Sequence, residues 1–321
     1  MRIGFQIPVE RHKISTKIIF IDNICITKKY NFMKIAVFGN QYQDNRVDVI
    51  GQLFDILLLS GACVEVEEEF YAYVKRSCPG IEVVRLEAGA PLTADVVVSV
   101  GGDGTFLRAA SWVGDREIPI VGVNTGHLGY LSDVSIDDIT QMMRRIVSGD
   151  YRVECRSLIE VTADSGEPLL QKYALNEVAV LKHDSLSMLY IDAVIDGVPL
   201  STYVGDGLIV ATPTGSTAYN LSVGGPIMHP ACRSLVLSPV AAHSLTMRPL
   251  VVPDNVEITL GMRSDRSQTF MLSVDGVSMP MPINSKLRLR KASHCVKVII
   301  RNEHDFAGTL RSKLMWGKDV R

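Results

Sequence analysis

Gly101-Gly102-Asp103-Gly104-Thr105 places one carboxylate inside a turn that is otherwise almost bare backbone. Glycines at 101, 102 and 104 tolerate positive φ and leave no Cβ in the way. Backbone N–H groups in such a turn can converge on phosphate oxygens, helped by the N-terminus of a following helix. A carboxylate beside phosphates repels them, so Asp103 needs a task of its own: taking a proton from an attacking hydroxyl, or holding Mg²⁺. A plain tight Asp-Gly turn would use the same residues. The segment is not a P-loop, because no Gly-x4-Gly-Lys-Ser/Thr occurs. Nor is it the dinucleotide fingerprint, because Gly39-Asn40-Gln41 carries no further glycines.

A second constellation spans 205–226, Gly-Asp-Gly-Leu-Ile-Val-Ala-Thr-Pro-Thr-Gly-Ser-Thr-Ala-Tyr-Asn-Leu-Ser-Val-Gly-Gly-Pro. A strand over 208–211 breaks at Pro213 and opens a loop of small hydroxylated residues. Thr214, Ser216, Thr217 and Ser222 offer donors without bulk, and Tyr219 offers a flat face. Such a loop suits an adenine ring and a sugar phosphate, although a Ser/Thr-rich surface loop would read similarly. Asp206 could accept from a sugar hydroxyl or a carboxamide. Asn176-Glu177 interrupts an apolar strand, and polar groups buried there need partners such as ribose hydroxyls. An exposed strand end would satisfy them equally well. A further candidate ligand-facing loop is 124–130, with His127 as a loop hydrogen-bonding residue.

The elements that must position these residues follow from periodicity. From Met33 to about Val134, short apolar strands (35–38, 63–66, 83–86, 94–100, 119–123) alternate with helical spacing, such as Val47, Ile50, Leu53, Phe54, Leu57 and Leu58. The nearly continuous run 94–100 reads as a parallel strand covered on both faces, and it leads straight into Gly101. Open α/β sheets bind ligands at such carboxyl ends. After a helix at 136–146 the period changes to two, with runs at 158–161, 189–195, 256–260, 269–274, 287–289 and 296–300. Asp196-Gly197 and Asp275-Gly276 are hairpin turns. Phe306, Leu310 and Leu314 mark a final amphipathic helix that docks back on the first half. The expected fold is therefore α/β: an N-terminal open, Rossmann-like α/β domain (33–134), a mainly antiparallel β-rich domain (135–300), and a C-terminal segment (301–321) returning to the first.

Composition narrows the classes. The 321 residues are 47% hydrophobic and 21% charged, with a formal charge of −2. That balance gives no broad attraction to nucleic acid or acidic membranes. No run approaches the roughly 18–20 apolar residues that cross a bilayer. Six cysteines (25, 63, 78, 155, 232, 295) include no Cys-x-x-Cys, and seven histidines form no His-x3-His pattern, so free thiols, a cytoplasmic setting and no structural metal are expected. Residues 1–32 lack a small-residue cleavage site and read as an extension upstream of a first strand that opens at Met33.

Taken in order, these pieces resemble the NAD kinases, which phosphorylate the adenosine 2′-hydroxyl of NAD with ATP to give NADP. The resemblance runs from Met33 to about Gly317. It rests on 101–105, on Asn-Thr-Gly-His-Leu-Gly at 124–129, on Asn-Glu at 176–177, on 205–226, and on Arg248-Pro249-Leu250 and Asp275-Gly276. It implies Asp103 as the general base or orienting partner for the attacking hydroxyl. Gly101, Gly102 and Thr105 would complete a loop that handles the phosphates of ATP with Mg²⁺. It implies an NAD site lined by Asp103, Gly104, Arg108, Asn176, Glu177, Asp206, Thr217, Ala218, Tyr219, Asn220, Leu221 and Ser222, and a homodimer or homotetramer. Val204 stands where many members carry a basic residue, and Val277 where Gln or another polar residue is frequent.

Diacylglycerol- and sphingoid-type lipid kinases and phosphofructokinases share a Gly-Gly-Asp-Gly turn. A non-catalytic NAD(P) sensor would share the rest. The Thr-Gly-Ser-Thr-Ala-Tyr loop and the Asn-Glu pair favour a nucleotide over a lipid, and a carboxylate among phosphates favours an enzyme over a sensor.

Overall fold

The computed structural model describes residues 33–40, 46–87, 89–125, 129–166, 168–184, 188–301 and 305–317. The expected extension at 1–32 and His127 lie outside these residues.

The first half alternates strand and helix. It runs β1 (Lys34–Gly39), α1 (Val47–Leu59), β2 (Cys63–Glu67), α2 (Glu68–Ser77), β3 (Val84–Leu86), β4 (Val96–Val100), α3 (Asp103–Val113), β5 (Ile120–Asn124), β6 (Val134–Ser135) and α4 (Ile139–Ser148). The strands pair in parallel in the order β3-β2-β1-β4-β5, with β6 added to β5. Every residue of β4 is buried, because alternate side chains enter different cores. Ile35, Val37, Val96, Val98 and Val100 meet α1, α2 and α4 on one face. Ala36, Phe38 and Val97 meet Phe106, Ala109, Ala110 and Val113 of α3 on the other. Helices on both faces explain the continuous apolar run.

The second half is antiparallel. It comprises β7 (Arg152–Ala163), β8 (Tyr173–Ala174), β9 (Glu177–Lys182), β10 (Leu189–Ile195), β11 (Val198–Gly205), β12 (Gly207–Ala211), α5 (Tyr219–Ser222), β13 (Ser234–Val240), β14 (Leu250–Pro253), β15 (Ile258–Arg263), β16 (Thr269–Val274), β17 (Val277–Pro282), β18 (Lys286–Ile300) and a closing helix, α6 (Phe306–Lys313). Among the described residues β14-β13-β12-β9-β16-β17 form a separate six-stranded sheet. It faces β7, β10, β15 and β18 across a core that includes Val178, Val180, Leu208, Val210, Phe270, Leu272, Leu287 and Leu289. Period-two alternation follows from this one-sided burial.

The sequence separates 287–289 from 296–300, whereas the structure joins them in one strand, β18, whose pairing with β7 shifts register between Lys291 and Cys295. Near its end Val298 pairs in parallel with Ile120. The parallel and antiparallel halves are thus one continuous sheet of twelve strands among the described residues. Helix α6 carries an Asp305 cap whose carboxylate accepts from the Gly308 amide at 2.6 Å.

Candidate active site

The carboxyl end of β4 gives way at Gly101, and α3 begins at Asp103 itself. The Asp103 carboxylate turns onto the segment that follows β5. Oδ2 accepts the Tyr130 amide at 2.8 Å, and Oδ1 accepts the amides of Leu131 and Ser132 at 3.0 Å each. A carboxylate offers about four lone-pair positions. Three are taken by fixed backbone donors, and the remaining one lies on Oδ2. The close fit requires Gly129: a Cβ there would stand 1.9 Å from Asp103 Oδ1. Gly102 and Gly104 are exposed, so their backbone is open to a ligand. Thr105 is buried, with its amide 3.0 Å from the Gly102 carbonyl, and closes the turn from behind.

Across the cleft, the β16–β17 turn brings up a second carboxylate. Asp275 accepts the amides of Leu175, Asn176 and Glu177 at 2.6, 2.8 and 3.1 Å. Its own amide returns to the Glu177 carbonyl at 3.1 Å. Burial pushes the Asp275 carboxyl up to about 6, against the pull of these three donors. Burial first, then the nearby Asp275 charge, push Glu177 up to about 7, although the Tyr219 amide donates to its carboxylate. Glu177 Oε2 is buried without a hydrogen-bond partner. A buried lone acceptor at a cleft wall is a position for a ligand hydroxyl.

The loop after β12 closes over this corner. Thr212 donates from its amide to the Asn176 carbonyl at 2.9 Å and from its hydroxyl to the Leu175 carbonyl at 2.5 Å. Gly215 lies so close that a Cβ would stand 2.0 Å from the Asn176 oxygen. Thr217, Ala218 and Leu221 are half-buried, and Tyr219 and Ser222 are exposed, so these side chains remain accessible to a ligand. Between the halves lies a cleft of about 530 Å³, lined by Phe38, Gly104, Arg108, Trp112, Gln171, Asp275 and Val277 among others. The Arg108 guanidinium sits 5.1 Å from the Phe38 ring centroid and 3.7 Å from Glu69.

The structure thus brings Gly104 and Arg108, beside Asp103, to one wall of the cleft and Asp275, which binds the amides of Asn176 and Glu177, to the other, but it corrects three sequence expectations. Asn220 does not face a ligand. It is fully buried, with Nδ2 donating to the Ser216 and Pro226 carbonyls at 3.1 and 3.2 Å and Oδ1 accepting from Ser238 at 2.6 Å. Its polar atoms hold the loop from inside. Asp206 does not share the corner either. It lies at the opposite end of the β9–β12 pair, where Gly207 pairs with Leu181 and Ala211 with Glu177, and it binds Lys182 at 2.8 Å. Five residues of strand separate Lys182 from Glu177, roughly 17 Å. Ser216, offered as a free donor, is used internally: its hydroxyl donates to the Pro213 carbonyl at 2.7 Å and accepts the Met228 amide at 2.9 Å.

Sequence reasoning did not single out Asp275, Phe38, Trp112 or Gln171 as site residues. Asp275 carried a signal, a carboxylate in a hairpin turn, but nothing local shows that its partners lie some hundred residues earlier. Among the described residues no three His, Cys, Asp or Glu side chains gather as a metal site, and no helix is long and apolar enough to cross a membrane.

Two family models match the chain, the ATP-NAD kinase N-terminal domain over residues 35–151 and the ATP-NAD kinase C-terminal domain over residues 175–300. The NAD kinase of Bacteroides fragilis is 44% identical over 290 residues, covering 90% of this chain and 100% of that one. The NAD kinase of Porphyromonas gingivalis is 43% identical over 295 residues, covering 90% and 99%. Among solved structures, yeast NADH kinase complexed with NADH superposes with a TM-score of 0.80 over 90% of this chain and 89% of that one, at 22% identity, a likeness of fold. An NAD kinase from Archaeoglobus fulgidus in complex with ATP gives 0.65 over 84% and 94%, at 27% identity. The chain belongs to the ATP-NAD kinase family.

Proposed function

We infer that the chain transfers the γ-phosphoryl group of ATP to the 2′-hydroxyl of the adenosine ribose of NAD, yielding NADP and ADP. The observation that carries the residue assignment is the Asp103 carboxylate, fixed by three backbone amides at the mouth of the cleft with one lone pair left on Oδ2. In this reading that lone pair accepts the hydroxyl proton while the ribose oxygen bonds to Pγ and the Pγ–O bond to ADP breaks. Phosphoryl transfer demands alignment and charge neutralisation more than covalent help, and a carboxylate that cannot rotate supplies alignment. The exposed backbone at Gly102 and Gly104 and the N-terminus of α3 face the phosphates. Glu177 Oε2 and Asn176 receive ribose or amide groups of NAD, and Thr217, Ala218, Tyr219, Leu221 and Ser222 cover them.

Mg²⁺ bound with ATP would supply neutralisation of phosphate charge, and Asp103 beside the Gly102–Gly104 turn is the carboxylate that would stand nearest to it. The family resemblance implies a homodimer or homotetramer. The thiols of Cys78, Cys155, Cys232 and Cys295 fit a reducing, cytoplasmic setting.

The test is NADP formation from NAD and MgATP, read with an NADP-specific dehydrogenase, for wild type and Asp103→Asn. Turnover in the wild type should drop about 10²–10⁴-fold in the variant, the usual worth of a positioned base. Wild-type turnover in Asp103→Asn would remove Asp103 from the chemistry. NAD binding without turnover in the wild type would favour a sensor.

A further inference from the structure

Lys313, the last residue of α6, reaches across the fold to the segment that grips Asp103. Its ammonium donates to the Gly129 carbonyl, lies 3.2 Å from Asp133 Oδ1, and stands 5.3 Å from the Tyr130 ring centroid. The side chain is only 9% exposed. Gly129 and Asp133 flank the three amides that bind Asp103, and Tyr130 supplies the first of them. Asp133 is held from the other side by Arg301 at 3.5 Å, and Arg301 also reaches Asp138 at 3.3 Å. Within helix α6 Thr309 is buried, and at its start Phe306 meets the His229 ring edge-on at 4.7 Å. His229 follows Met228, whose amide binds Ser216 inside the loop over the nucleotide corner. The helix therefore bridges the two walls of the cleft.

We propose that Lys313 is a positioning residue for Asp103. By holding the Gly129 carbonyl and the Asp133 carboxylate it fixes where the Tyr130, Leu131 and Ser132 amides stand, and these amides fix the orientation of the Asp103 carboxylate. Lys313 does not touch the reacting atoms. A buried ammonium is suited to the task because it satisfies a carbonyl and a carboxylate from one point. The proposal rests on the reading of Asp103 as the proton acceptor.

The test is a double-substitution cycle with Lys313→Met and Asp103→Asn, measuring kcat, KM and NAD affinity by calorimetry, with thermal melting as the control for folding. Misplacement of a catalytic group by about 1 Å can cost on the order of 10²-fold. Lys313→Met should accordingly lower kcat about 10–100-fold, with KM and NAD affinity within about twofold. In the Asp103→Asn background the same substitution should change kcat less than about twofold, because the group it positions is gone. Lys313→Gln keeps a donor for the Gly129 carbonyl and should lose less. It carries the cycle if Lys313→Met does not fold. Equal losses in both backgrounds, or unchanged kcat in the single variant, overturn the proposal while leaving Asp103 in place. Wild-type turnover in Asp103→Asn alone overturns the reading of Asp103, and the proposal with it.

Discussion

Asp103 and Asp275 do the same work on opposite walls of the cleft: each carboxylate binds three consecutive backbone amides, 130–132 for Asp103 and 175–177 for Asp275. Charge-assisted bonds of this kind are roughly twice as strong as neutral ones. Each therefore ties down backbone next to a strand, after β5 for Asp103 and at the start of β9 for Asp275. The two walls differ in burial. Asp275 sits deep enough to be pushed up to about 6, whereas Asp103 is only half-buried at the cleft mouth.

Substituting Gly129 tests how tightly the first wall is built. A methyl group in Gly129→Ala would overlap Asp103 Oδ1, so carboxylate or loop must move. The expected result is a kcat lowered on the order of 10²-fold, with thermal melting changed by far less than unfolding would require. Full activity in Gly129→Ala would show that the orientation of Asp103 is not limiting.

Removing the second carboxylate should act mainly on stability and NAD binding. Asp275→Ala leaves three backbone amides without their acceptor, at about 1–3 kcal/mol for each one that water does not reach. Denaturant unfolding should show a loss on the order of 3 kcal/mol, and KM for NAD should rise as Asn176 and Glu177 shift. An unchanged midpoint would mean that the 175–177 segment is held by its strand neighbours alone.

Glu177 and Asp275 also set a pH dependence with a defined sign. Both carboxyls are raised in the folded protein, from 4.5 to about 7 and from 3.8 to about 6. The folded chain then binds more protons than the unfolded chain between these limits, so their contribution is largest below about pH 4 and declines as pH rises to about 7. At about 1.4 kcal/mol per unit, Glu177 alone is worth up to about 3 kcal/mol. The stability of Glu177→Gln relative to wild type should therefore increase between pH 5 and 8, measured by urea unfolding at several pH values. A difference independent of pH would place Glu177 at an ordinary carboxylate value.

Asn220 and Ser222 separate loop construction from ligand contact. Asn220→Ala strips the partners of two carbonyls and the Ser238 hydroxyl in a fully buried position. It should destabilise the chain by about 2 kcal/mol or more. Ser222 is exposed, so Ser222→Ala should leave stability within about 0.5 kcal/mol and change only KM for NAD. Equal melting temperatures for Asn220→Ala and wild type would contradict the packing described here.

Local chemistry in the sequence determined much of this protein. The run 94–100 and the glycines after it specified a buried strand ending in an open turn, and the change of period after 146 specified the change from parallel to antiparallel sheet. Asp275-Gly276 specified a hairpin. These features depend on neighbours within a few residues, where side-chain alternation and allowed φ leave few alternatives. What only the tertiary structure decided is which groups those turns meet. The partners of Asp103 lie 27 to 29 residues away and those of Asp275 about a hundred, and Lys313 reaches back 184 residues to Gly129. The inward face of Asn220 is set by the packing of its helix α5 on Ser238 of β13, and the distance of Asp206 from Glu177 and the joining of 287–289 with 296–300 into β18 by strand register and sheet packing. A one-residue change of register would turn the strand side chains to the opposite face, and the raised carboxyls at 177 and 275 exist only once the folded chain has buried them.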